Sequence, residues 1–181
     1  MKRTEELRTL SEDHHHGLVQ ARRLRRAADE AISTEPVAEE FLDFWQKETT
    51  IHFRKEEEVL LPVMARHGGE LSREPIVEML QGHAQIRALV MRLSDETMGG
   101  NVRPETLREI GEQLEAHIRL EEREVFPLIE KSLSEAALTE LAARLEVKEA
   151  GPLVEPWVPA AELSYEPWPG PGDSDGGGYD W

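Results

Sequence analysis

The chain has 181 residues, of which 37 are acidic and 21 basic, giving a formal net charge of −16, and it contains no cysteine. This length fits one domain with a tail, and the negative charge argues against nucleic acid and membrane surfaces as partners, because binding phosphates requires clustered lysine and arginine. Without thiolates, any bound metal ion must be held by nitrogen and oxygen ligands.

No stretch of the sequence reaches the roughly 18 consecutive apolar residues that a membrane span requires. The first residues, MKRTEELRTL, lack the apolar core of a secretory signal. We therefore expect a cytoplasmic protein without a membrane-spanning segment.

Glycine and proline residues divide the sequence into stretches whose apolar residues recur every three or four positions, as in amphipathic helices. The predicted helices cover about residues 4–32, 36–66, 74–98, 104–133 and 134–148. Pro62 is expected to kink or tighten the last turn of the second helix. No segment shows the alternation typical of a strand. We therefore predict an all-α protein, an up-down-up-down four-helix bundle with a short fifth helix and an irregular C-terminal tail.

The composition changes after the fifth predicted helix. Residues 149–181 are rich in proline, glycine and acidic side chains, and they include Trp157, Trp168 and Trp181. Such a composition predicts a disordered or loosely docked tail, so residues 1–148 form the expected bundle domain. The tryptophans can pack on the bundle or on a protein partner, and the sequence leaves both alternatives open.

The second and fourth predicted helices contain two copies of one motif. In each copy a histidine precedes a glutamate by four residues, as His52 precedes Glu56 and His117 precedes Glu121. The residues of each pair therefore lie one turn apart on one face of their helix. The copies also share an arginine, a second glutamate and a proline. They read HFRKEEEVLLP at residues 52–62 and HIRLEEREVFP at residues 117–127.

Both pairs lie on the apolar faces of their helices and so point into the predicted bundle. His52 and Glu56, for example, share a stripe with Trp45 and Val59. An unpaired glutamate buried there would cost several kcal/mol or would take up a proton. Two such glutamates beside histidines at the same depth predict a bound cation.

The other two helices contribute single histidines to the same interior. On the third helix His83 lies on the apolar stripe. The first helix offers three adjacent histidines. His14 is in phase with the apolar stripe and is favoured, whereas His15 lies one turn before Leu18 and remains an alternative. His16 faces away from both and is expected to be exposed.

This inventory of one imidazole from each helix and two carboxylates fits a dinuclear metal site. Two ions that share two bridging carboxylates, each also bound by two histidines, would use the whole set. Imidazole and carboxylate ligands without thiolate suit iron or manganese, and suit zinc or copper less well. Ligation of this kind leaves coordination positions open for O2 or a related small molecule.

The motifs resemble those of the hemerythrin-like, HHE cation-binding domains over about residues 5–130. The matching motifs are L-x-x-x-H at residues 10–14, H-F-R-K-E-E at 52–57, the lone His83 and H-I-R-L-E-E at 117–122. The resemblance implies a non-haem site with two iron ions, with manganese or zinc as alternative metals. The implied ligands are His14 or His15, His52, Glu56, His83, His117 and Glu121, with the two glutamates bridging.

Two departures from the oxygen-carrying hemerythrins bear on function. Those proteins are similar but have a further histidine one turn before the third-helix ligand, where this chain has Met79. They also have an aspartate in the fourth-helix motif, where this chain has Glu121. With fewer nitrogen ligands, stable reversible O2 carriage is disfavoured. We expect instead a diiron protein that reacts with or senses O2, peroxide or NO, or that handles iron.

The alternative function is a metal-dependent regulatory or protein-interaction module without catalytic turnover. In that case metal binding would order the bundle, and the tryptophan-bearing tail would contact a protein partner. The sequence does not decide whether the protein is an enzyme.

Overall fold

Five helical stretches make up the computed structural model, which describes residues 4–30 and 33–150, with side chains as far as Glu146. The helices are α1 (Arg8–Asp29, after a 3-10 turn at Glu5–Leu7), α2 (residues 34–66), α3 (Glu74–Met98), α4 (residues 104–132) and α5 (Glu135–Ala150). No strand occurs among these residues. The predicted all-α helical bundle is confirmed, and its up-down-up-down order stays a prediction. Of the predicted tail at residues 149–181, residues 149 and 150 belong to α5, and the rest lies outside the described residues.

The helices begin and end at ordinary sequence signals. Proline lies in the first turn of α3 and of α4, where a backbone N–H is not needed. Gly68 and Gly100 follow α2 and α3 with φ angles of 82° and 63°, the left-handed conformation that commonly ends a helix. At the start of α5 the Ala137 N–H donates to Ser134 Oγ over 3.3 Å. Ser134 therefore caps this helix.

Three π-helical turns interrupt the long helices α2 and α4. They are Trp45–Thr49, Glu56–Leu60 and Glu121–Val125. In the second of these turns the Leu61 N–H donates to the Glu56 carbonyl, five residues earlier. The turn before Pro62 is therefore widened rather than tightened, and the helix continues through Leu61–Arg66. The proline ring has no N–H and crowds the carbonyl four residues earlier, and a wider turn relieves that contact.

Two apolar clusters fill the bundle, and each long helix contributes to both. Along α1, Leu7 and Leu10 belong to the first cluster, whereas Ala21 and Leu24 belong to the second. The first cluster also contains the buried residues of α5, which are Ala137, Leu138, Leu141 and Leu145. The chain between the two clusters carries polar residues on the inward face of each long helix. This polar layer holds the candidate site.

Small residues allow α1 and α4 to lie close together. A Cβ atom added to Gly111 of α4 would lie 2.6 Å from the carbonyl oxygen of Ala21. A Cβ atom on Gly17 would lie 2.7 Å from Ile118 Cδ1. The Gly111 distance ends on backbone, so a larger residue there requires α1 to move, whereas at Gly17 the end of the Ile118 side chain would have to move. The face of α1 that carries Gly17 is buried against α4. Leu18, beside it, is only partly buried.

The part of the chain that the structure describes contains no helix with the length and apolar content needed to cross a membrane.

Candidate metal centre

Six of the seven residues singled out in the sequence come together in the polar layer between the two apolar clusters. They are His14 of α1, His52 and Glu56 of α2, His83 of α3, and His117 and Glu121 of α4. All six are buried, and Glu56, His83 and Glu121 have no exposed surface. The seventh, His15, is exposed and lies outside the layer. Of the two alternatives on the first helix, the structure thus places His14 at the site.

The six residues form two groups of potential metal ligands that share both glutamates. The first position comprises His14, His52, Glu56 and Glu121, and the second comprises Glu56, His83, His117 and Glu121. Within each group the ligand atoms all lie within 4.8 Å of one another. Each position therefore has two imidazole nitrogens and two carboxylate oxygens.

The two oxygens of each glutamate face different positions. Glu56 Oε1 lies 3.4 Å from His52 Nε2 in the first position, and Glu56 Oε2 lies 3.2 Å from His83 Nε2 in the second. Glu121 Oε2 lies 3.0 Å from His14 Nε2, and Glu121 Oε1 lies 2.9 Å from His117 Nε2. This division of oxygens is the arrangement that a carboxylate needs in order to bridge two cations.

The polar atoms at the centre fit a pair of metal ions. Both oxygens of Glu56 and of Glu121, and Nε2 of His83 and of His117, are buried without a well-aligned hydrogen bond. Neighbouring nitrogens lie only 2.9–3.6 Å from these oxygens, so the atoms converge without being paired. Two uncompensated buried carboxylates are costly, whereas cations coordinated between them would satisfy every one of these atoms.

In the protein without metal, protons on the imidazoles compensate the carboxylates. Burial opposes the charged form of His52, but Glu56 and Asp13 outweigh it and raise the pKa of His52 to about 10. Burial likewise opposes protonation of His83, whose pKa the neighbouring glutamates raise to about 10. Although burial acts in the other direction, His117 and the nearby imidazoles hold the pKa of Glu121 well below its usual value. A metal ion would therefore displace protons from this cluster.

Three of the four imidazoles are oriented by a carboxylate on their outer nitrogen. The pairs are His14 Nδ1 with Glu122 Oε1 at 2.8 Å, His83 Nδ1 with Glu57 Oε1 at 2.6 Å, and His52 Nδ1 with Asp13 Oδ2 at 3.2 Å. A carboxylate on Nδ1 places the proton there and leaves Nε2 free to bind a metal ion.

Sequence reasoning did not assign a role to these outer carboxylates. Glu57 and Glu122 are the second glutamates of the two motif copies, and each reaches across to the single histidine of a neighbouring helix. The signal was present in the sequence, because both copies keep a Glu-Glu pair. Asp13 gave no comparable signal, since it has no counterpart in the repeat.

Aromatic rings pack against two of the imidazoles. Phe53 stacks on His83 with ring centroids 3.7 Å apart and an angle of 17° between the planes. Phe126 stacks on His14 with ring centroids 5.3 Å apart and an angle of 7°. These contacts restrict rotation of the rings and add an apolar wall on two sides of the polar layer.

A small cavity of about 20 Å³ adjoins the first position. Its lining includes His14, His52, His117 and Glu121 together with the apolar side chains of Phe44, Phe53, Leu114 and Ile118. The volume is sufficient for about one water molecule or a diatomic gas. A small molecule in this cavity would lie directly beside the candidate ligands.

The remaining histidines lie away from the layer. His16 is exposed, as expected, with Nδ1 2.9 Å from Glu48 Oε2. His67 follows the last turn of α2, where its Nε2 lies 2.9 Å from Glu140 Oε2. Met79, one turn before His83, is fully buried in the first apolar cluster.

Comparison with known proteins agrees with this geometry. The sequence model of the hemerythrin HHE cation-binding domain matches residues 6–129, a range that contains all six residues of the polar layer and more than half of the chain. No curated protein and no solved structure gives a significant match to the chain. The chain belongs to the hemerythrin HHE cation-binding domain family.

Proposed function

We propose that this protein holds two non-haem iron ions and reacts with or senses O2, peroxide or NO. The observation that supports the proposal most strongly is that Glu56 and Glu121 each direct one oxygen to each of two histidine pairs. His14 is then the helix-one ligand. Imidazole and carboxylate ligands suit iron, and they also accept manganese or zinc.

The ligand count favours reactivity over reversible O2 carriage. Each position has two imidazoles and two carboxylate oxygens, so an ion that prefers five or six ligands retains open coordination positions. Met79 would not fill one of them, because a thioether is a poor ligand for ferric iron. When bound, the two ions would supply reducing electrons and a place for a small molecule to coordinate. The protein supplies a small cavity beside the first position that is about large enough for one diatomic molecule.

A regulatory function of the same site is the second candidate. The polar layer joins the two apolar clusters, and without metal it contains two buried carboxylates in contact with imidazoles. Metal binding would therefore stabilise the junction and order the bundle. A protein partner could bind only the ordered, metal-bound form. The predicted contact of the tail with such a partner remains a prediction, because the tail from residue 151 onward lies outside the described residues.

Reactivity can be tested with protein loaded with Fe(II) under argon. We expect exposure to air to produce the near-ultraviolet charge-transfer bands of oxidised diiron, and NO or peroxide to change the spectrum at stoichiometric amounts. Glu58→Gln is a matched control, because Glu58 neighbours the motif but pairs with Arg54 away from the polar layer. Loaded protein whose spectrum is unchanged by O2, peroxide and NO would contradict reactivity and leave the regulatory function.

A further inference from the structure

The two metal positions differ in how their imidazoles are supported. In the first position both outer nitrogens have a carboxylate partner, since His14 Nδ1 contacts Glu122 and His52 Nδ1 contacts Asp13. In the second position only His83 has one, from Glu57. An outer carboxylate makes an imidazole a stronger ligand and holds its ring in place, and loss of such a partner typically lowers metal affinity about 10- to 100-fold.

His117 lacks this support for a steric reason. Its Nδ1 is buried and makes no hydrogen bond to any described residue. A Cβ atom on Gly82 of α3 would lie 2.7 Å from this nitrogen. The backbone of α3 thus passes directly over the outer edge of the ring, and Gly82, the residue at that point, has no side chain with which to contact it.

The single carboxylate of the second position is also shared with a cation. Arg87 Nη1 lies 2.8 Å from Glu57 Oε1, and Arg87 Nη2 donates to Glu57 Oε2 over 3.0 Å. At the first position the nearest comparable contact of Asp13 is longer, with Lys55 Nζ 3.4 Å from Asp13 Oδ2. Because a paired guanidinium withdraws negative charge from its carboxylate, Glu57 strengthens His83 less than an unshared carboxylate would.

A groove of about 210 Å³ runs between α3 and α4 beside the second position, with Gly82 and His117 among its lining residues. Its walls carry the polar side chains of Glu78, Gln81, Gln85 and Gln113. The Glu78 carboxylate lines this groove but makes no hydrogen bond to His117 Nδ1.

We propose that the two positions are unequal, so that metal binds first between His14 and His52 and only then, more weakly, between His83 and His117. This inference rests on the proposed dinuclear site and assigns Asp13 and Glu57 as positioning residues for the first and second ion. Glu122 supports the first position together with Asp13. The expected difference in dissociation constant is about 10-fold or more, the effect of one missing outer carboxylate.

Titration of the metal-free full-length chain with Co(II) under argon tests this proposal. Bound metal is followed by the visible spectrum of Co(II) and by competition with a chromophoric chelator. We expect two phases of one ion each, and biphasic release to excess chelator. Asp13→Asn should weaken the position of His14 and His52 about 10- to 100-fold, so that the first phase weakens to about the affinity of the second position. Glu57→Gln should raise only the dissociation constant of the second phase. Glu58→Gln, at the neighbouring exposed glutamate, should change neither phase.

Circular dichroism of the metal-free variants shows whether each substitution leaves the bundle folded. Should a variant fail to fold, proton NMR of the wild type with one equivalent of Co(II) provides the same test. The imidazole N–H signals with the largest paramagnetic shifts should then come from His14 and His52 and not from His83. The opposite assignment would overturn the proposal.

Two further outcomes separate this inference from the proposed function. Uptake of two ions by the wild type in a single phase, or a first phase that Asp13→Asn leaves unchanged, would overturn the inequality and leave the dinuclear site intact. Failure of the folded wild type to bind any Co(II) would contradict the proposed metal site and with it the proposed function.

Discussion

The metal-free protein should lose stability as the pH rises from about 6.5 to 10. His52 and His83 have pKa values raised to about 10 by the buried glutamates, against 6.5 for an unfolded histidine. A raised pKa in the folded state contributes stability that is complete below pH 6.5 and is lost as the pH approaches the folded value. A shift of this size on one imidazole corresponds to about 5 kcal/mol, and because the two histidines interact through the same glutamates their contributions do not add.

Urea unfolding of the protein in EDTA, followed by circular dichroism between pH 6 and pH 9.5, measures this effect. We expect the free energy of unfolding to fall by several kcal/mol over this range, approaching 1.4 kcal/mol per pH unit for each proton released. The same protein loaded with Co(II) is the control, since the metal replaces the protons and the remaining charges are unchanged. A free energy of unfolding that is constant or rises with pH in the metal-free protein would refute the assignment of protonated imidazoles to the polar layer.

The remaining predictions concern single residues. His14→Ala should lower the bound iron measured by elemental analysis, whereas His15→Ala should leave it unchanged, and the reverse result would move the helix-one ligand by one position. Gly82→Ala should displace the ring of His117, because the added Cβ would lie 2.7 Å from Nδ1, and so lower the affinity for the second Co(II) ion; an unaltered titration would contradict this close contact. Met79→His should slow autoxidation of the Fe(II) protein, followed optically, by filling a coordination position, and an unchanged rate would show that residue 79 does not reach the metal.

The inward positions of the site were predictable because helical periodicity alone aligns them with apolar residues. His52, Glu56, His117 and Glu121 occur at the same places in two copies of one motif, and His83 is in phase with a clear apolar stripe. The helix boundaries were predictable for a similar reason, since glycine and proline have strong positional preferences at helix ends.

The choice between His14 and His15 required the packing of α1. Hydrophobicity favours Leu18 as an inward residue, and His15 would share its face. The structure buries Gly17 instead, where α1 packs closely on α4 and on the Ile118 side chain. Ranking residues by hydrophobicity does not identify glycine as an interior residue. The sequence therefore did not decide whether His14 or His15 points into the bundle.

The roles of the outer carboxylates could not be predicted from the sequence, because they depend on contacts between helices. The π-helical turns could not be predicted either, because they depend on backbone hydrogen bonds. In the sequence Glu57 and Glu122 look like solvated charges, and only the neighbouring helices reveal that each meets a histidine. Two of the three π-helical turns begin at Glu56 and Glu121, one in each motif copy. Such turns are rare overall, and those that occur often lie at functional sites. The periodicity of apolar residues does not indicate where they occur.

The central claim is that Glu56 and Glu121 bridge two metal ions. Iron analysis combined with X-ray absorption spectroscopy of the loaded protein tests it most directly, with Glu121→Gln as the perturbation and Glu124→Gln, at an exposed glutamate of the same motif, as the control. We expect two irons per chain and an iron–iron scattering contribution in the wild type and in Glu124→Gln. In Glu121→Gln we expect loss of that contribution and of bound iron. A wild type with one iron per chain and no iron–iron contribution, or a Glu121→Gln variant with an intact pair, would contradict the bridged site.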